Sequence, residues 1–146
     1  MTRLFYCFCA AFLLALVVGC GSGNVGLRGT VTFADDGSPV TSGTVGFRKD
    51  GRIARGDIQP DGTYVVGFER IADGLPPGRY EVFVTGTERV TVTTLGQDSE
   101  GRPIEHYDYE QLIDRRYESP ETSPLVVDVD ASTKVFDIQV TRFRGR

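Results

Sequence analysis

The chain has no tryptophan, one histidine and only two lysines, and its three cysteines all fall within the first 20 residues. Each scarcity closes a chemistry. With His106 as the sole imidazole, a multi-histidine metal centre or a two-His, two-Tyr iron site cannot be assembled within one chain. Beyond Cys20 no thiol remains, so the body of the protein folds without an internal disulfide. At 146 residues it is long enough to do so as one domain. A formal net charge of −4, with arginines scattered along the chain, leaves no basic footprint for nucleic acid. Finally, the longest apolar run, Leu4 to Val18, is about 15 residues, short of the roughly 20 that span a bilayer.

That run has another reading. Arg3 supplies a positive n-region, and small residues lead into a cysteine. Val17-Val18-Gly19-Cys20 resembles the lipobox of bacterial lipoproteins, in which the cysteine is acylated with palmitate-class chains and becomes the new N-terminus. The expectation is a signal peptide over 1–19, lipidation at Cys20, and a flexible tether over 20–26. Several acyl chains on one cysteine make a lasting anchor, at about 0.8 kcal/mol per buried methylene. Gly21 is not the aspartate that favours inner-membrane retention. The outer membrane, or the periplasmic face of the envelope, is therefore the expected address.

From residue 27 the sequence is a succession of short alternating runs, the pattern of strands with one buried face. The organising stretch is Gly74-Leu75-Pro76-Pro77-Gly78. Its prolines forbid helix, and it leads into a strand with Tyr80, Val82 and Val84 on one face. Phe83 is an apolar residue on the opposite, wet face. Asp50-Gly51 and Asp61-Gly62 read as hairpin turns. The expected core is Val31, Phe33, Val45, Phe47, Tyr64, Val66, Tyr80, Val82, Val84, Val127, Phe136 and Ile138. The rhythm fails over 96–124, which reads as one long loop, with a helical turn or two over Tyr109–Arg116 anchored by Leu112 and Ile113. Seven or eight strands so spaced make an all-β sandwich over 27–141, with 142–146 as a tail.

Four stretches carry a family likeness: Gly29-Thr30-Val31-Thr32-Phe33, Gly43-Thr44-Val45-Gly46-Phe47, Asp61-Gly62-Thr63-Tyr64 and Leu75-Pro76-Pro77-Gly78-Arg79-Tyr80-Glu81-Val82. They resemble the carboxypeptidase regulatory-like (transthyretin-like, prealbumin-like) domain, and the tail from Tyr117 to Leu125 is similar to small bacterial lipoproteins bearing it. The resemblance implies a Greek-key sandwich of seven or eight strands and a structural or binding accessory role, with no enzymatic activity and no cofactor.

The enzymatic relatives of this class are poorly matched. Phe143-Arg144-Gly145-Arg146 is superficially like the terminus of transthyretin-like hydroxyisourate hydrolases, but those also need histidines on early and late strands. An isopeptide crosslink needs a lysine where the first strand has Arg28. Asp35, Asp36, Asp128 and Asp130 read as solvated turn residues, since calcium needs six to eight converging oxygens. One group remains: His106, Tyr107, Tyr109, Arg115, Arg116 and Tyr117, whose large contact areas and polar tips suit recognition of an envelope protein or a polysaccharide. Three readings follow: a binding or structural module, a carbohydrate-binding module with Tyr107 and Tyr109 (and Phe83, if uncovered) as platform, or an enzyme with its site in 96–124. The same group could instead fasten the loop to the sandwich.

Overall fold

The computed structural model describes residues 23–68, 70 and 72–145. Cys20, the lipobox and the signal stretch lie outside the described residues. The chain is all-β. Its strands are β1 (Arg28–Phe33), β2 (Thr44–Lys49), β3 (Arg52–Asp57), β4 (Thr63–Val65), β5 (Gly78–Thr85), β6 (Arg89–Gln97), β7 (Pro103–Glu110), β8 (Leu125–Val129) and β9 (Ile138–Val140). They form three sheets, in the orders β4-β1-β9, β3-β2-β5-β8 and β6-β7. Within them β1 runs parallel to β9 and antiparallel to β4.

The first two sheets close on one core in the manner of a sandwich. Val31, Tyr64 and Ile138 from one sheet meet Val45, Phe47, Tyr80, Val82 and Val127 from the other. Phe47 bridges the layers, its ring 6.1 Å from that of Tyr64 and 6.4 Å from that of Phe136. Of the expected core set all are buried but Phe136, which is half-buried against it. The core also takes in Val25, Val40, Leu75, Ile113 and Tyr117. These are single apolar residues in turns and connections, where no period of two announces them.

The Asp50-Gly51 hairpin forms between β2 and β3, with φ of 50° and 76° at its two central residues, as a type I′ turn requires. Asp61-Gly62 does something different. The Asp61 carboxylate accepts from the Thr63 N–H at 3.0 Å and its hydroxyl at 2.7 Å, fixing a turn that carries the chain from β3 in one sheet to β4 in the other. It is a crossover between layers and not the hairpin its sequence suggests.

Two glycines are dictated by close approach. A Cβ on Gly29 would lie 2.0 Å from the Phe136 carbonyl oxygen and 2.9 Å from the Tyr64 hydroxyl. That hydroxyl donates to the same carbonyl, tying the two ends of the small sheet together. Gly46 sits opposite Phe83 in the β2–β5 register, and the Phe83 ring occupies the space its Cβ would take. This explains the apolar residue on the wet face: Phe83 lies over Gly46 and shields an otherwise bare stretch of sheet.

Both ends of the domain are tied down further than the sequence suggests. Val25 is buried and exchanges backbone hydrogen bonds with Leu75 (2.6 and 2.9 Å), so the fold begins inside the expected tether 20–26. Arg142 belongs to the body and not to a tail. Its guanidinium stacks 3.6 Å above the Phe33 ring centre and reaches Asp35 at 3.1 Å, Asp36 at 2.8 Å and the Ser38 hydroxyl at 2.7 Å.

Candidate functional site

The segment 96–124 is not one long loop. Its first half completes a two-stranded antiparallel ribbon, in which β6 pairs with β7 from Arg89↔Glu110 out to Gln97↔Pro103, with a register shift between Thr94 and Gly96. Every residue of both strands is exposed. The tip is closed by Asp98, whose carboxylate accepts from the backbone N–H groups of Glu100 and Arg102 at 2.8 and 2.9 Å. The same carboxylate pairs with the Arg102 guanidinium at 2.8 Å.

The ribbon has two unlike faces. Cross-strand pairing places Val90 opposite Tyr109 and Val92 opposite Tyr107, so these four side chains share one face. All four are substantially exposed, Tyr109 at 69%. The other face is polar apart from Ile104 near the tip. Arg89 pairs with Glu110 at 2.8 Å, and His106 lies 3.2 Å from Asp108. On the tyrosine face the Tyr107 hydroxyl donates to Glu105, two residues earlier on the same side, at 2.5 Å, which pushes the phenol pKa upward.

The ribbon is rooted by a bend at Gly86 (φ 66°) and by Thr87, which is fully buried. The Thr87 methyl stands where a Cβ on Gly43 would come to 2.9 Å, so Gly43 is the notch that receives it.

The second half of 96–124 is a fastener. The helical turn expected over Tyr109–Arg116 is a single 3-10 turn, Arg115–Tyr117, capped by the Asp114 carboxylate on the Arg116 N–H at 3.0 Å. Ile113 is buried and Leu112 packs against the core, as expected of anchors. Backbone bonds run from Asp114 N–H to the Thr141 carbonyl and from Phe143 N–H to the Leu112 carbonyl, both 2.9 Å.

The six recognition candidates therefore divide. His106, Tyr107 and Tyr109 stand on the ribbon, His106 on the polar face and the tyrosines on the apolar one. Arg115, Arg116 and Tyr117 stand on the flank of the sandwich. Tyr117 is buried at 5% exposure, covered by Arg116 5.0 Å above its ring. Arg116 also donates to the Thr141 hydroxyl at 2.9 Å. Arg115 lies over Phe143 at 5.8 Å. Tyr117 and Arg116 thus act within the fold, while the exposed group gains Val90 and Val92. The Val-Thr alternation of β6 was the available signal for these two, but it does not tell where the strand finds its partner.

No family model, curated protein or solved structure matches this chain. The residues must be read on their own chemistry.

Two shallow clefts mark the body. One, of about 420 Å³, is lined by Asp35, Asp114, Arg115, Arg142, Phe143 and Arg144 among others. The other, of about 460 Å³, lies between β3 and β4 beside Arg55, Tyr64 and Arg70. Tyr107, Tyr109 and His106 line neither of these two clefts, whereas Asp114 and Arg115 line the first. Among the described residues no group of three or more His, Cys, Asp or Glu side chains could hold a metal ion. The turn aspartates are engaged locally instead. Asp36 is held near pKa 2 by the Ser38 hydroxyl and N–H, with Arg142 adding to them, and Asp130 is held near 2 chiefly by Ser132.

Proposed function

We propose that this chain is a lipoprotein of the bacterial cell envelope, acylated at Cys20, in which a transthyretin-like Greek-key sandwich is a rigid, non-enzymatic base and the β6–β7 ribbon is its recognition arm. The observation that carries the reading is the ribbon itself. It presents Val90, Val92, Tyr107 and Tyr109 together on one exposed face of a body whose other large apolar side chains are mostly buried. Tyrosine with β-branched neighbours is the composition of a recognition surface: large contact area, little rotamer entropy to lose, and hydroxyls for orientation. The ribbon lends the enzyme alternative no support, because its polar groups are exposed and serve one another; of segment 96–124, Asp114 and Arg115 are the residues that line the first cleft.

The topology suits an anchored arm. The chain enters the fold at Val25, bonded to Leu75 just ahead of the start of β5, and the ribbon leaves from Gly86, just after β5 ends. The eight residues of β5 set these points about 25 Å apart. A domain held by Cys20 would thus carry the root of its arm on the side away from the lipid, and the envelope protein or polysaccharide it meets would lie there.

The test is crosslinking in native envelopes. Wild-type chain should capture a partner, Tyr107→Ala/Tyr109→Ala should lose it while remaining folded, and Cys20→Ser should release the protein from the membrane. Retained capture by the double variant would refute the arm as the recognition element. An unmodified N-terminus elsewhere than Cys20, seen by mass spectrometry, would refute the anchor. The exposed tyrosine pair also supports a carbohydrate-binding module. That reading predicts binding to purified envelope polysaccharide, lost in the same double variant.

A further inference from the structure

A two-stranded ribbon standing alone in water is marginally stable, and three or more strands are normally needed to hold such a sheet. Here every residue of β6 and β7 is exposed, so the sandwich contributes no cover to the ribbon. Its two free edges are unlike. The β7 edge carries Pro103, Glu105, Asp108 and Glu110, which are the devices that discourage strand addition: a missing donor and a row of like charges. The β6 edge, Arg-Val-Thr-Val-Thr-Thr-Leu-Gly-Gln, has no proline, no acidic residue and a single charge at its start. Its β-branched residues favour an extended backbone with unpaired N–H and C=O groups. One edge is closed to another strand and the other is open.

We infer that β6 pairs with β6 of a second copy of this chain, antiparallel, to give a four-stranded sheet in the order β7-β6-β6-β7. Charge selects this arrangement. Two β7 edges would set carboxylates against carboxylates, whereas two β6 edges meet without repulsion, each Arg89 falling near the uncharged end of the other strand. The two-fold symmetry also limits growth. Once the β6 edges are joined, the ribbon sheet ends on both sides in an acidic, proline-bearing β7 edge, so that sheet stops at four strands from two copies. Pairing in the register centred on Val92 keeps even-numbered residues on one side. The Val90/Val92/Tyr107/Tyr109 faces of both copies then become one continuous surface. This inference stands on the strand edges and does not require the recognition role of the tyrosines.

Cysteine trapping in the full chain, expressed in its native membrane, tests it. Val92→Cys places two thiols at the centre of the new pair, with Cβ atoms about 5 Å apart, within reach of a disulfide after mild oxidation. Tyr109→Cys places them on outer strands, three strand spacings apart and four residues out of step, about 19 Å in all and beyond reach. The unsubstituted chain, run alongside, sets the background from Cys20. The expected result is a covalent dimer from Val92→Cys at least about tenfold above that from Tyr109→Cys. Should Val92→Cys fail to accumulate, Thr91→Cys/Thr93→Cys, whose two positions the same register sets opposite each other across the new pair, is read in its place. No excess dimer from either β6 position overturns the inference. So does a stronger link from Tyr109→Cys, which would put the contact on β7. A β6 cysteine joined to a chain of another mass overturns the second copy as occupant. As an independent reading, detergent-extracted chain should have twice the monomer mass by light scattering, and Thr91→Lys/Thr93→Lys should return it to the monomer. A monomeric parent chain would overturn the proposal.

Discussion

Single residues set the tightest tolerances of this fold where backbone approaches backbone. Gly29 is the sharpest case, because its missing Cβ makes room for the Phe136 carbonyl and the Tyr64 hydroxyl bonded to it. Burial of Tyr64 pushes its phenol pKa far upward, so the hydroxyl remains a donor at any working pH. Gly29→Ala should cost about 3 kcal/mol, the upper part of the range for overpacking, since the obstructing atom is backbone and not a movable side chain. Urea unfolding of the two proteins would measure it, and a loss within a few tenths of a kcal/mol would mean that β1 and β9 can part without penalty. Thr87 presents the opposite situation. Its side chain is fully buried, and its hydroxyl has no hydrogen-bond partner among the described residues. Thr87→Val keeps the β-branched shape in the Gly43 notch and removes the unpaired group. It should raise stability by about 1 kcal/mol, read as a higher thermal midpoint.

Among the elements, legibility followed periodicity. Strands β1, β2, β5 and β8 were readable because alternate large apolar residues face the core. Val45 and Phe47 on β2, and Tyr80, Val82 and Val84 on β5, are all buried. The ribbon's second strand was hidden for the same reason. No part of Pro-Ile-Glu-His-Tyr-Asp-Tyr-Glu is buried, so no hydrophobic period marks it, and its extended form comes from pairing with β6. The site was correspondingly half legible. Composition singled out Tyr107 and Tyr109 as exposed contact residues, but it could not tell them from Tyr117, which differs only in facing the core. The ribbon should also be separable. Arg89 and Glu110 are cross-strand neighbours, so a short Gly/Ser linker can replace residues 89–110 without moving Gly86 or Gln111. The shortened protein should unfold cooperatively, with stability within about 1 kcal/mol of the parent, because no buried side chain is removed. Limited proteolysis of the parent should cut first at the 98–102 tip and not within 111–124. An early cut near Arg115 or Arg116 would show that the 3-10 turn is loosely held.

For the molecule as a whole, the carboxylates that tie turns to the body give acid a point of attack. Asp36 is held near pKa 2 by the Ser38 hydroxyl and N–H, with Arg142 adding to them. Glu121 is held near 2 by the Ser119 hydroxyl first, then its own backbone N–H and Arg48, and Asp130 near 2 by the Ser132 hydroxyl and N–H and by Thr133. Their ordinary values are 3.8 for aspartate and 4.5 for glutamate, so all three are depressed in the folded protein. A depressed carboxylate binds its proton more weakly when folded than when unfolded. Its contribution is therefore complete above the unfolded value and disappears as pH falls through the folded one. Stability should be level from neutral pH down to about 5, then decline steadily towards pH 2. The three groups are exposed and solvent-screened, so the decline should be gradual and without a sharp collapse. Urea midpoints at pH 7, 4 and 2.5 would trace it. Ser38→Ala removes the hydroxyl hydrogen bond that holds the Asp36 carboxylate most strongly, and should lower the midpoint at pH 7 more than at pH 2.5, where the carboxylate is already losing its charge. An equal drop at both pH values would mean that Ser38 supports the turn by packing alone, leaving the acid sensitivity to Glu121, Asp130 and the arginines they meet.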